Sequence, residues 1–141
     1  MAVGRPLVLV ALALAGLSGC STAPAPVDPN APTVLLSGSG DGSGADAQIT
    51  GPVTVDDRRC VGVGEYLVIW PQGTSWDTGA DALRLPNGDL RKIGEAVTGG
   101  GYYVTGTSAQ SSLEDIEQRD RCAWDGETAI FNPGSDVATA P

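Results

Sequence analysis

The chain has 141 residues, with 17 acidic against 8 basic side chains and a formal net charge of −9. That balance is the opposite of the basic stripe that marks nucleic-acid binding, so no nucleic-acid partner is expected. Histidine is absent, which removes Ser-His-Asp and Cys-His nucleophilic sites and the usual zinc ligand sets.

Met1–Gly19 has the three parts of an export signal. Arg5 and the amino terminus supply the positive end, Leu7–Leu17 is apolar and uncharged, and Gly19-Cys20 forms the processing site. The apolar run is shorter than the about 20 residues a membrane-spanning helix needs. Leu17-Ser18-Gly19-Cys20 ends it with a leucine, two small residues and a cysteine in register. This resembles the lipobox of bacterial lipoprotein precursors. The resemblance implies that Cys20 receives a diacylglyceryl group and that the chain is cut before it. The mature protein is then extracytoplasmic, lipid-anchored to the outer face of the cell membrane. Two acyl chains give stable attachment where one gives only marginal binding. The Ala-, Gly-, Val- and Asp-rich composition, with Lys92 as the single lysine, fits a high-GC actinobacterial source.

Residues 20–47 read as the lipidated cysteine and a flexible linker. Pro24, Pro26, Pro29 and Pro32 favour extended geometry, and Ser37–Ala47 is rich in Gly, Ser and Asp. Val34-Leu35-Leu36 interrupts the linker, either as a short strand docked on the domain or as a small sticky spot. Asp41–Asp46 lacks the carboxylate spacing of a calcium loop, so no metal is expected there.

Residues 48–133 form the expected β-domain. Ile49–Val55 is a strand, placed at an edge by Gly51-Pro52. Cys60–Trp70 is apolar in both phases and reads as one buried strand, bulged near Gly62 or Gly64. Pro71 ends it, and Gln72–Ala80 is a loop. Leu83–Leu85 and Leu90–Ile93 form a hairpin across Pro86-Asn87-Gly88-Asp89. Gly94–Val97 turns the chain, and Gly99–Gly101 permits close backbone approach or positive φ. Tyr102–Thr105 is a further strand. Ser111 or Ser112 caps a short helix with Leu113 and Ile116 on its apolar stripe. Thr128–Phe131 is the closing strand, and residues 134–141 are a disordered tail. Five or six short strands with one late helix predict a small, partly open β-barrel, OB-like, with an SH3-like barrel or a small sandwich as alternatives.

With Cys20 used by the lipid, Cys60 and Cys122 remain and are expected to be oxidised to a disulfide outside the membrane. Such a bridge closes a loop worth roughly 4 kcal/mol by the chain-entropy argument. No catalytic constellation, metal site or cofactor site is legible. Glu65 and Glu95 are available carboxylates, but nothing in the sequence sets their separation. The candidate ligand-contact residues are Trp76, in a polar loop, and Tyr102 and Tyr103. Adjacent tyrosines in a strand point to opposite faces, so one of the pair faces outward. An exposed Trp and Tyr beside carboxylates can stack on a sugar ring or a peptide; the plainer alternative is that they fill a minimal core. The expected function is a non-catalytic domain binding an envelope protein or a cell-wall glycan. A small-ligand sensor or solute-capture module is the alternative, with a small hydrolase third.

Overall fold

The computed structural model describes Met1 and residues 28–38, 47–105 and 116–141. Cys20, the Gly/Ser/Asp-rich stretch 39–46 and the expected cap residues Ser111 and Ser112 lie outside the described residues, as does Leu113.

The domain is a closed five-stranded β-barrel with short strands added. The barrel strands are β2 (Ala47–Val55), β3 (Val61–Val63), β4 (Tyr66–Trp70), β8 (Ala96–Thr105) and β9 (Glu127–Phe131). Pairing runs β4-β3-β2-β8, and β9 closes the ring by pairing with both β8 and β4. The β4–β9 pairing is parallel and the other four are antiparallel. Each barrel strand thus has a neighbour on both sides, and the ring is closed rather than partly open.

Inside the barrel lie Ile49, Val53, Val61, Val63, Val68 and Trp70, with Val97, Ala129 and Phe131 from the later strands. Each large apolar side chain taken out of water contributes about 1.5–3 kcal/mol. Trp70 is completely buried, and its indole N–H donates to the Val61 carbonyl at 3.3 Å. Its ring packs on Phe131 with centroids 5.2 Å apart. A second, smaller apolar cluster lies on the outer face. Leu67 and Ile69 of β4 and Ile130 of β9 meet Leu35, Cys60 and Cys122 there, with Tyr102 and Val104 against them. This explains why β4 is apolar in both phases: one phase fills the barrel and the other fills the outer cluster.

Several expectations are corrected. Cys60–Trp70 is not one strand. Gly64, at φ +60°, and Glu65 turn the chain between β3 and β4, with Val63 opposite Tyr66. The apolar run misleads because both strands of the hairpin are buried and only a two-residue turn separates them. The β2 strand is not an edge. Ala47–Pro52 pairs with β8, and Val53–Val55 pairs with β3. Gly51-Pro52 marks the corner where the strand changes partner. The stretch read as a loop contains β5 (Ser75–Asp77), which joins β6 (Ala82–Arg84) and β7 (Leu90–Arg91) in a separate three-stranded sheet. The expected hairpin is the β6–β7 half of it, with Gly88 at φ +89° in the turn.

The domain is also wider than residues 48–133. Val34-Leu35-Leu36 docks: β1 (Leu35–Leu36) runs parallel to β4, and Thr33 bridges Cys60. At the other end the expected disordered tail is ordered. Val137 is buried in the barrel core, and β10 (Ala138–Thr139) pairs with β8. Composition alone hides both segments, since each contributes only two or three apolar residues. The helix is α1 (Ile116–Arg121), and it falls after the fourth barrel strand rather than between the third and fourth, where the β5–β7 sheet is inserted instead.

Gly99–Gly101 serves close approach, and none of the three has positive φ. A Cβ on Gly101 would lie 2.3 Å from the Ile130 carbonyl oxygen and 2.4 Å from the Ile49 side chain. On Gly100 it would meet only the Asn132 side chain, at 3.6 Å. Gly101→Ala is therefore expected to cost about 1–3 kcal/mol or more, and Gly100→Ala about 0.5 kcal/mol or less in either direction. Chemical denaturation of the two variants measures the difference. Equal midpoints would contradict the close-approach account.

Candidate binding surface

The turn between β2 and β3 is built on one carboxylate. Asp56 Oδ1 accepts from the Arg58 and Cys60 amides at 3.0 and 2.8 Å. Asp56 Oδ2 accepts from Nε and Nη2 of Arg58 at 3.0 and 2.7 Å. This two-point fork fixes the guanidinium in plane and direction. Arg58 Nη1 donates in turn to the Ala123 carbonyl. Burial works to raise the Asp56 pKa, but the Cys60 amide and then Arg58 outweigh it and hold the carboxyl below its usual 3.8.

Cys60 ends this turn and forms the expected disulfide with Cys122, Cα–Cα 5.9 Å. Both cysteines are nearly fully buried, at 1% and 2% exposure. The bridge sets the segment after α1 against the β2–β3 turn. Trp124 consequently stands beside Arg58, whose guanidinium carbon lies 4.8 Å from the ring centroid. Gly126 lets the indole lie close to the chain, since a Cβ there would fall 2.3 Å from Trp124 Nε1. The result is a tryptophan held by a cation–π contact and a covalent anchor, yet 40% exposed.

Trp124 and Arg58 form one wall of an open groove of about 250 Å³ on the outer side of β2, β3 and β4. Its floor is Gly62 and Gly64, which carry no side chain, beside Thr54. Gly62 is required here: a Cβ would lie 2.3 Å from the Tyr66 carbonyl oxygen. Thr54 Oγ1 donates to the Gly64 carbonyl at 2.9 Å. Glu65 and Tyr66 form the far side. Tyr66 meets Tyr103 edge to face, centroids 5.1 Å apart. The charge of Glu65, followed by burial and the charge of Glu127, raises the Tyr66 phenol above its usual 10. Tyr66 therefore keeps its proton at neutral pH and stays a hydrogen-bond donor.

The sequence-predicted contact residues are not brought together. Tyr103 is 36% exposed and stands with Tyr66. Its neighbour Tyr102 points to the other face and packs on the outer apolar cluster. Trp76 lies in β5, half-buried against the main core. Asp77 beside it accepts from the Ala80 amide and from Arg84, which lower its pKa in that order against some burial. Glu65 and Glu95 sit on turns on either side of β2, and the Glu95 side chain accepts from the Lys92 amide at 2.8 Å.

Sequence reasoning passed over Arg58, Tyr66 and Trp124. A signal for two of them was present. Arg58 lies two residues before Cys60 and Trp124 two after Cys122, so the bridge itself implies that they are neighbours. Chemically the groove offers aromatic surface, one exposed carboxylate and backbone polar groups. It is open, and smaller than the roughly 300–1,000 Å³ of small-molecule pockets.

Two outcomes test this construction. Because Asp56 ionises below 3.8 in the folded state, its contribution is complete above that pH and is lost as the pH falls through the lower folded value. Asp56→Asn is expected to be destabilised at neutral pH, with the gap to wild type narrowing as the pH falls below about 4 in acid-dependent melting curves. A gap that persists unchanged at pH 2 would contradict the ionic role. Reducing Cys60–Cys122 is expected to lower the melting temperature by about 10 °C or more. It should also make Trp124 more accessible to acrylamide, read as increased fluorescence quenching. Equal melting and equal quenching, with both redox states verified by mass, would contradict the anchoring role.

Compared with protein-family models, curated proteins and solved structures, the chain matches none.

Proposed function

We propose that this is a lipid-anchored, extracytoplasmic lipoprotein whose barrel is a non-catalytic binding module for another component of the cell envelope, a protein or a wall polymer. The anchor is Cys20, at the end of the lipobox-like stretch. The observation that carries the binding reading is Trp124: a large aromatic side chain fixed by a disulfide-tied segment and by Arg58, but left 40% exposed on a groove wall. Ordering a tryptophan at the surface without burying it is what a contact platform requires.

The place of the groove supports the same reading by analogy of fold alone. Five-stranded barrels of the OB type bind along their second and third strands and the loops that flank them. Here the groove lies on the second and third barrel strands, walled by the β2–β3 turn and by the segment before the last barrel strand. Its size and openness favour a surface contact over capture of a free solute. Asp56 and Arg58 satisfy one another, and Glu65 is met by the Tyr66 phenol.

Radiolabelled palmitate fed to cells making the chain should label the wild type and not Cys20→Ala. The wild type should fractionate with membranes, and a soluble form should accumulate when the signal and Cys20 are replaced by an ordinary secretory signal. An unlabelled wild type, or membrane retention without Cys20, would overturn the anchoring part of the proposal.

A further inference from the structure

The groove deepens the binding-module reading, on which this inference rests, because the charge in its described lining outside the Asp56–Arg58 pair is negative. Three of the five N–H groups of Arg58 are engaged: Nε and Nη2 donate to Asp56, and Nη1 donates to the Ala123 carbonyl. Both oxygens of Asp56 accept from Arg58 and the nearby amides. The pair is neutral as a unit. Glu65 is exposed on the far wall, and its charge acts on Tyr66 together with that of Glu127. Among the described residues, no lysine or further arginine lines the groove. The whole chain adds a negative field, at net −9, which raises the local concentration of cations and repels anions.

An aromatic wall beside an exposed carboxylate that, among the described residues, only the Tyr66 phenol meets selects a particular chemistry. An ammonium group gains from aromatic faces and edges through the ring quadrupole, and from Glu65 through charge. Its alkyl stem can lie along the glycine floor, where Gly62 and Gly64 leave no side chains in the way. A neutral sugar would use the aromatic wall but not the field; an acidic polymer would be repelled by it.

We propose that the Glu65–Tyr66–Trp124 groove receives a lysine side chain from a basic segment of a protein partner. The indole flanks the stem and ammonium, Glu65 pairs with the charge, and the Asp56–Arg58 fork holds the tryptophan wall in place.

The test uses the full-length protein in nonionic detergent, titrated with tetralysine and, separately, with the neutral chitotetraose, while tryptophan emission is followed at low and at physiological salt. Trp70 is buried and Trp76 half-buried, so Trp124 reports on the groove. Tetralysine is expected to give a saturable change that weakens with salt. Trp124→Phe should abolish that change, and Glu65→Gln should weaken binding by fivefold or more. Asp136→Asn, which removes the same charge from an exposed position beside Val137, should weaken it by less than twofold. Equal loss in Glu65→Gln and Asp136→Asn would reduce the effect to diffuse charge and overturn the proposal. A saturable change with chitotetraose alone would overturn the lysine assignment while leaving the groove a binding site. Silence with both ligands would overturn the lysine assignment and remove the groove as the site of the binding-module reading.

Discussion

The Cys60–Cys122 bridge is the constraint on which both the outer half of the fold and the candidate site depend. It links the turn after the first barrel strand to the segment before the last, 62 residues apart. Within that loop lie three of the five barrel strands and the inserted three-stranded sheet. The two cysteines are also members of the outer apolar cluster, packed with Leu35, Leu67, Ile69 and Ile130. One covalent bond therefore closes the chain topology and supplies core to a face the barrel cannot bury by itself. A small domain gains a large share of its stability from such a staple, because its interior is limited.

Covalent and ionic constraints converge on the same few residues. Asp56 shapes the β2–β3 turn through two backbone amides and, by the same carboxylate, aims Arg58. The bridge brings Trp124 to that guanidinium, and the missing side chain at Gly126 lets it lie flush. Rigidity at an exposed aromatic is the physical property that distinguishes a contact platform from a surface accident, since little conformational entropy is left to lose on binding. The glycines have a double part. Gly62 is needed because β3 and β4 approach too closely for a Cβ, and the same absence of a side chain hollows the groove floor.

The β class, the β6–β7 hairpin and the disulfide were legible because each rests on a local signal or on a count. Asn87-Gly88 sets its turn by backbone conformation, and with Cys20 read as the lipid site the two remaining cysteines allow one pairing. The β3–β4 hairpin was not legible, because alternation fails when both faces of a strand are buried, one in the barrel and one under Cys122 and Leu35. Val34–Leu36 was left open between docking and a sticky spot, and Val137 was missed, for a different reason: their burial is decided by where the barrel places them, not by their polar surroundings in sequence. Trp76, Tyr102 and Tyr103 were reasonable contact candidates by residue type, but burial separates them, and only Tyr103 borders the groove through Tyr66. Trp124 was recoverable in principle from its offset to Cys122.

The most direct measurement is site-specific photocrosslinking in intact cells, with a benzoylphenylalanine placed at position 124 in one strain and at position 76 in another. If the groove is the contact surface, position 124 yields a discrete adduct with an envelope component, and Asp56→Asn diminishes it by freeing the Arg58 wall. Position 76, on the inserted sheet, yields none. An adduct from position 76 and none from position 124 would contradict the account and move the contact surface to the β5–β7 sheet.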